Sequence, residues 1–145
     1  MRTSARARGR RTRVLDAEQK TALASAALLD KKAQQAVLLD LRGLTLIADF
    51  FLICSGTSSV HVKTLADAVR ERLARESVKP YAPAGGLEGY AQGQWVLLDF
   101  GDLMVHVFAP EEREFYSLER LWADAPQQAI EAPARRRRRS GDREK

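Results

Sequence analysis

Two histidines, His61 and His106, and one thiol, Cys54, are the side chains best suited to metal binding or proton transfer in this 145-residue chain. Their spacing serves neither purpose. No pair stands at the C-x-x-C or H-x-x-x-H separation that gathers ligands round zinc, so no structural metal is expected. His61 falls in the first turn of an expected helix and reads as a solvated surface residue. His106 shares a strand face with Met104 and Phe108 and reads as a partly buried, hydrogen-bonded group, not a general base. Ser55-Gly56-Thr57-Ser58-Ser59 follows a strand and opens a helix, where backbone N–H groups could hold a phosphate, although the same residues are ordinary caps. Nucleotidyl transfer there would need paired carboxylates to hold Mg²⁺. Val78 to Ala82, directly after that helix, contains none. Asp99 and Asp102 lie a loop later, around a turn where their side chains need not converge. An enzyme is therefore not expected, nor a cofactor or small-molecule substrate. Asp99 and Asp102 instead serve the turn, form an acidic lip beside Trp95 that receives a basic partner residue, or do both.

The elements that must position these residues centre on Gly93 to Trp122. Trp95–Phe100 and Leu103–Phe108 are apolar runs around Gly101-Asp102, the pattern of a β-hairpin. Both are apolar at nearly every position, which predicts that both faces of the pair are covered. Pro110 stops the second strand, and Glu111, Glu112 and Glu114 suit the first turn of a helix. Phe115, Leu118 and Trp122 then fall on one face of that helix. Upstream, Asp16 and Gln19 form a capping pair for a helix over residues 17–33, with Ala22, Ala26, Leu29 and Ala33 as its packing stripe. Gln35–Leu41 and Phe50–Cys54 read as strands, antiparallel because the link between them is short. Val62, Leu65, Ala66, Val69 and Leu73 mark the buried face of a second helix. Lys79–Ala82 reads as a short edge strand guarded by Pro80 and Pro83, and Ala84–Gly93 as a mobile glycine-rich loop.

Composition suits one globular domain, at 45% hydrophobic residues. No apolar run approaches the roughly 18 residues that cross a bilayer, so no membrane partner is expected. A single cysteine fits a reducing, cytoplasmic location. The net charge of +5 is unevenly spread. Residues 1–13 carry six arginines and no acid; residues 135–145 carry six arginines, one lysine and two acids, which leaves −6 for residues 14–134. The expected organisation is a disordered basic tail over 1–13, a folded domain over 14–124 and a disordered Arg-rich tail over 125–145. The tails suit electrostatic contact with RNA; the acidic body suits a basic protein.

Taken together these residues resemble the ribosomal silencing factors, also called Iojap-related proteins. The resemblance rests on Ala48-Asp49-Phe50-Phe51 with Ser55 to Ser59, on His61-Val62-Lys63 and Ala66-Asp67, on Trp95 to Asp102 with Val105 to Phe108, and on Phe115 to Trp122. It covers roughly residues 17–123. It implies a mixed, five-stranded α/β sheet packed with helices, like a nucleotidyltransferase fold without catalytic carboxylates. It also implies that the protein binds the large ribosomal subunit at its protein number fourteen, blocks joining of the small subunit, and so represses translation when nutrients are scarce. A homodimer in the free state is implied as well. The expected contacts are Trp95, Asp99 and Asp102, with His106 and Tyr116 nearby. The alternative for Trp95 is a tryptophan of the sheet core. The alternative for the whole protein is an RNA-binding ribosome assembly factor acting through its basic tails.

Overall fold

Asp16 opens the first helix with a reciprocal cap: its Oδ1 accepts from Gln19 N at 2.8 Å, and Gln19 Oε1 accepts from Asp16 N at 2.9 Å. In the computed structural model, which describes residues 14–81 and 87–131, this helix (α1) runs Ala17–Asp30. It ends three residues earlier than expected. Lys32, at φ 66°, turns the chain out, and Ala33 N–H closes back on Leu28 O. Its buried face is Ala17, Thr21, Ala24 and Leu28, while Ala22 and Ala26 are exposed. The expected stripe is therefore on the wrong side. Turning Leu28 inward removes more apolar surface from water than turning in either alanine.

The strands are β1 (Gln34–Asp40), β2 (Phe50–Ser55), β3 (Leu87–Glu88), β4 (Trp95–Asp99), β5 (Leu103–Phe108) and β6 (Gln127–Ala129). They form one sheet in the order β3-β4-β5-β2-β1-β6. Only β2 and β5 are parallel, with Leu52 opposite Val105; β1 and β2 are antiparallel as expected. The sheet is thus mixed, and its central parallel strand β2 is buried along its whole length. Among the described residues the sheet has six strands, one more than expected. Lys79 to Tyr81 form no strand, although Tyr81 N–H donates to Asp99 O at 2.6 Å; β3 takes the outer edge of β4 instead. Ala82 to Gly86 lie outside the described residues.

The sixth strand lies beyond residue 124, where the folded domain was expected to end. Gln127–Ala129 pairs antiparallel with β1, and Ile130 N–H donates to Ala36 O at 2.8 Å. All three β6 side chains are exposed, so the ladder and not apolar burial holds this strand. The described residues reach Glu131, and the tails expected at the two ends, 1–13 and 132–145, lie outside them.

Helix α2 (Ser59–Ala74) joins α1 on one sheet face. Its five expected apolar residues, Val62 to Leu73, are all buried, and Ser58 Oγ caps it by accepting from His61 N. Cys54 is buried beneath these helices, and burial pushes its thiol up to about 12.

The other face carries Leu39, Phe51, Ile53 and Phe108 under Leu118 and Ala125, with Trp95, Met104 and Trp122 only partly buried. The single helix expected from Pro110 through Trp122 is two: α3 (Pro110–Tyr116) and α4 (Leu118–Leu121), broken at Ser117 with φ 47°. Ser117 Oγ donates to Glu114 O at 2.5 Å, giving the backbone a local partner in place of a continued helix. Leu118 is consequently buried while Phe115 points to solvent. The hairpin is also less covered than expected. In β4, Val96 and Leu98 are buried, but Trp95, Leu97 and Asp99 on the outer face are half-buried.

Candidate protein-docking face

Pleating places Trp95, Leu97 and Asp99 on one face of β4, opposite Phe108, His106 and Met104 of β5. Trp95 stacks on Phe108, with ring centres 4.9 Å apart, and meets the Tyr116 ring of α3 at 4.5 Å. Phe51 of β2 lies 4.5 Å from His106, and Trp122 meets Phe51 edge-on at 6.0 Å. The result is an aromatic platform from three strands, α3 and the residue that caps α4. Trp95 therefore belongs to the rim of the outer core, between the two readings open in the sequence.

Trp95 Nε1 donates to His106 Nδ1 at 3.2 Å. An indole N–H only donates, so Nδ1 must carry a lone pair and the ring proton must sit on Nε2. His106 is 5% exposed, and burial pulls its pKa down to about 4, so the ring is neutral at physiological pH. It is the hydrogen-bonded, buried histidine expected, with one oddity: Nε2 has no partner among the described residues.

The two hairpin acids do not join the platform as one lip. Asp99 shares its face but lies four residues from Trp95, about 13 Å along the strand, and its Oδ1 accepts from Gly101 N at 2.8 Å. Asp102 turns to α1, where Lys20 Nζ reaches its Oδ1 at 2.9 Å and also donates to Phe100 O. Of the five expected residues, Trp95, His106 and Tyr116 converge, whereas Asp99 and Asp102 serve the turn and the helix beneath it.

The acidic character of the face comes from elsewhere. Residues 99–131 hold eight acids and two bases, whereas residues 14–98 hold nine of each, so the body's whole −6 resides between the hairpin turn and Glu131. Glu111 and Glu114 of α3 are exposed beside Phe115 (80% exposed) and Tyr116 (46%), with Leu121 (72%) on α4. Leu44, Leu46 and Ile47, exposed in the β1–β2 loop between the outer-core residues Leu41 and Ala48, add apolar surface. Counting charge by segment would have exposed this asymmetry.

Arg113 holds α3 in place and was not anticipated. Almost fully buried, it donates to Glu119 Oε2 from Nε (2.9 Å) and Nη2 (2.5 Å), to Ser55 Oγ at 3.0 Å and to Gln35 O at 2.9 Å. These bonds rivet α3 and α4 to the ends of β1 and β2, beside an open pocket of about 620 Å³. The phosphate reading of the neighbouring Gly56-Thr57-Ser58 turn loses two of its backbone donors. Gly56 N–H donates to Phe108 O, and Thr57 N–H to His61 Nδ1 at 2.8 Å. His61 Nε2 in turn donates to Lys31 O at 2.8 Å. His61 is therefore a tie between α1 and α2, not a solvated surface residue.

The chain folds as a mixed α/β sheet with two helices on one face and an acid-rimmed aromatic platform on the other. Residues 14–145 match the sequence model of the family described as ribosomal silencing factor during starvation, and the chain belongs to that family. It is 46% identical over 109 residues to the ribosomal silencing factor of Halalkalibacterium halodurans, covering 75% of this chain and 90% of that protein. Its identity to the Bacillus subtilis ribosomal silencing factor is 40% over 104 residues, covering 72% and 85% of the two chains. A crystal structure of a Chromobacterium violaceum protein superposes with a TM-score of 0.71 at 32% identity, covering 83% of this chain and 92% of that one.

Proposed function

We propose that this protein acts in the cytoplasm by docking its outer sheet face on the large ribosomal subunit, at protein number fourteen. Bound there, it obstructs the surface that the small subunit must meet and so represses translation under nutrient limitation. No covalent step is involved. The observation that carries the reading is the coincidence of the Trp95–Phe108–Tyr116 stack with the segment holding the body's net negative charge. A basic ribosomal protein is drawn to such a surface by charge, which raises the encounter rate, while a buried aromatic anchor sets dissociation. The names carried by the family and its bacterial relatives supply the biological setting. The Arg-rich tails add contacts to ribosomal RNA at the docking site, and the free protein pairs with a second copy through the same exposed apolar surface. Sedimentation of purified large subunits with and without protein fourteen tests the docking. Co-sedimentation only when protein fourteen is present supports it. Equal co-sedimentation from subunits lacking it would assign binding to the RNA and the tails.

A further inference from the structure

Resting on the docking reading above, we propose that His106 is a positioning residue: it fixes the pose of the Trp95 indole without itself meeting the partner. Stacking on Phe108, with the tilted Tyr116 ring beside it, holds the plane of the indole but does not choose which edge turns inward. The bond from Trp95 Nε1 to His106 Nδ1 makes that choice. His106 is itself immobilised, with Phe51 at 4.5 Å and Phe108 nearly parallel to it at 6.3 Å. An anchor already held in its bound pose gives up less side-chain freedom on docking, so the bond acts on affinity through preorganisation.

Packing alone does not account for a histidine here. Its Nε2–H is buried and has no partner among the described residues, an arrangement that costs stability. Phenylalanine would fill the same aromatic site without an orphan donor. A local rule broken at the centre of a docking face marks a residue retained for something other than folding.

The test uses the full chain and two variants that separate the acceptor from the ring. His106→Phe keeps a ring of similar size and loses the acceptor. His106→Asn loses bulk but places a carbonyl oxygen close to the position of Nδ1. Positioning predicts opposite rankings. By thermal midpoint, Phe equals or exceeds wild type and Asn falls below it. By affinity for large subunits, Asn stays near wild type and Phe is weaker by about threefold to tenfold, the range of one ordinary hydrogen bond. In NMR spectra, the Trp95 indole N–H exchanges faster with solvent in the Phe variant only, with Trp122 as internal reference. Unchanged affinity of the Phe variant, or equal loss in both, would overturn the inference; should the Asn variant not fold, the Phe variant alone decides. Trp95→Ala separates the two levels. If it binds as wild type, the docking reading of Trp95 fails, whereas loss on Trp95→Ala beside a fully active Phe variant refutes only the positioning role.

Discussion

Arg113 and Glu119 face each other across the left-handed turn at Ser117, with two guanidinium nitrogens on one carboxylate oxygen. The pair closes α3 and α4 into a hairpin and, through Ser55 and Gln35, fastens that hairpin to the sheet. The aromatic platform depends on this fastening, because Tyr116 is the α3 residue that meets Trp95.

Replacing Arg113 by Met removes the charge and strands its three acceptors. The expected loss is about 2–4 kcal/mol of unfolding free energy, at the low end of breaking a buried pair because Glu119 is partly exposed. Urea denaturation measures it. The effect has a pH signature. Burial raises the Glu119 pKa, but the hydrogen bond from Arg113, a backbone bond and Coulomb attraction outweigh it and hold the carboxyl below its usual range. A depressed carboxyl contributes stability above its unfolded pKa of about 4.3 and loses it as pH falls through the lower folded value. The difference between wild type and variant is therefore full at neutral pH and shrinks below about pH 4.

Trp95→Ala should weaken binding to the large subunit by at least about 2 kcal/mol, the scale of an interface anchor. Isothermal titration checks it. A loss under about 0.5 kcal/mol with the fold intact would place Trp95 outside the interface.

Charge reversal at Glu111 and Glu114 acts on the encounter and not on the fold, since both side chains are exposed. The double change to Lys should lower the association rate about tenfold at low salt, and the gap should close as salt rises. Stopped-flow association at two ionic strengths reads this. A change confined to dissociation would assign the glutamates to direct contact.

Deleting residues 1–13 and 135–145 removes thirteen basic residues and two acids. If the tails touch ribosomal RNA, the slope of log affinity against log salt flattens for the trimmed protein. An unchanged slope excludes them from the interface.

Elements built from local signals were legible in the sequence. The Asp16–Gln19 cap, the apolar stripe of α2 and the Gly101 hairpin each depend on residues a few positions apart, and each formed as read. Non-local features were not. β6 exists because β1 offers it a ladder, and its Gln-Gln-Ala carries no strand pattern. The break at Ser117 lacks the glycine that usually announces a left-handed residue. Among the site residues, the outer face of β4 could not be read from alternation, because Trp95 to Leu98 are all apolar. The direction of Asp102 depended on Lys20, 82 residues away, and the riveting role of Arg113 on Gln35, 78 residues away.

Steric obstruction is most directly measured by subunit joining. Purified large subunits are saturated with this protein, small subunits are added at a magnesium concentration that favours association, and the mixture is resolved on a sucrose gradient. The account predicts that the joined-ribosome peak disappears while free subunits remain, and that Trp95→Ala restores it. Normal joining with the protein still bound to the large subunit would contradict it.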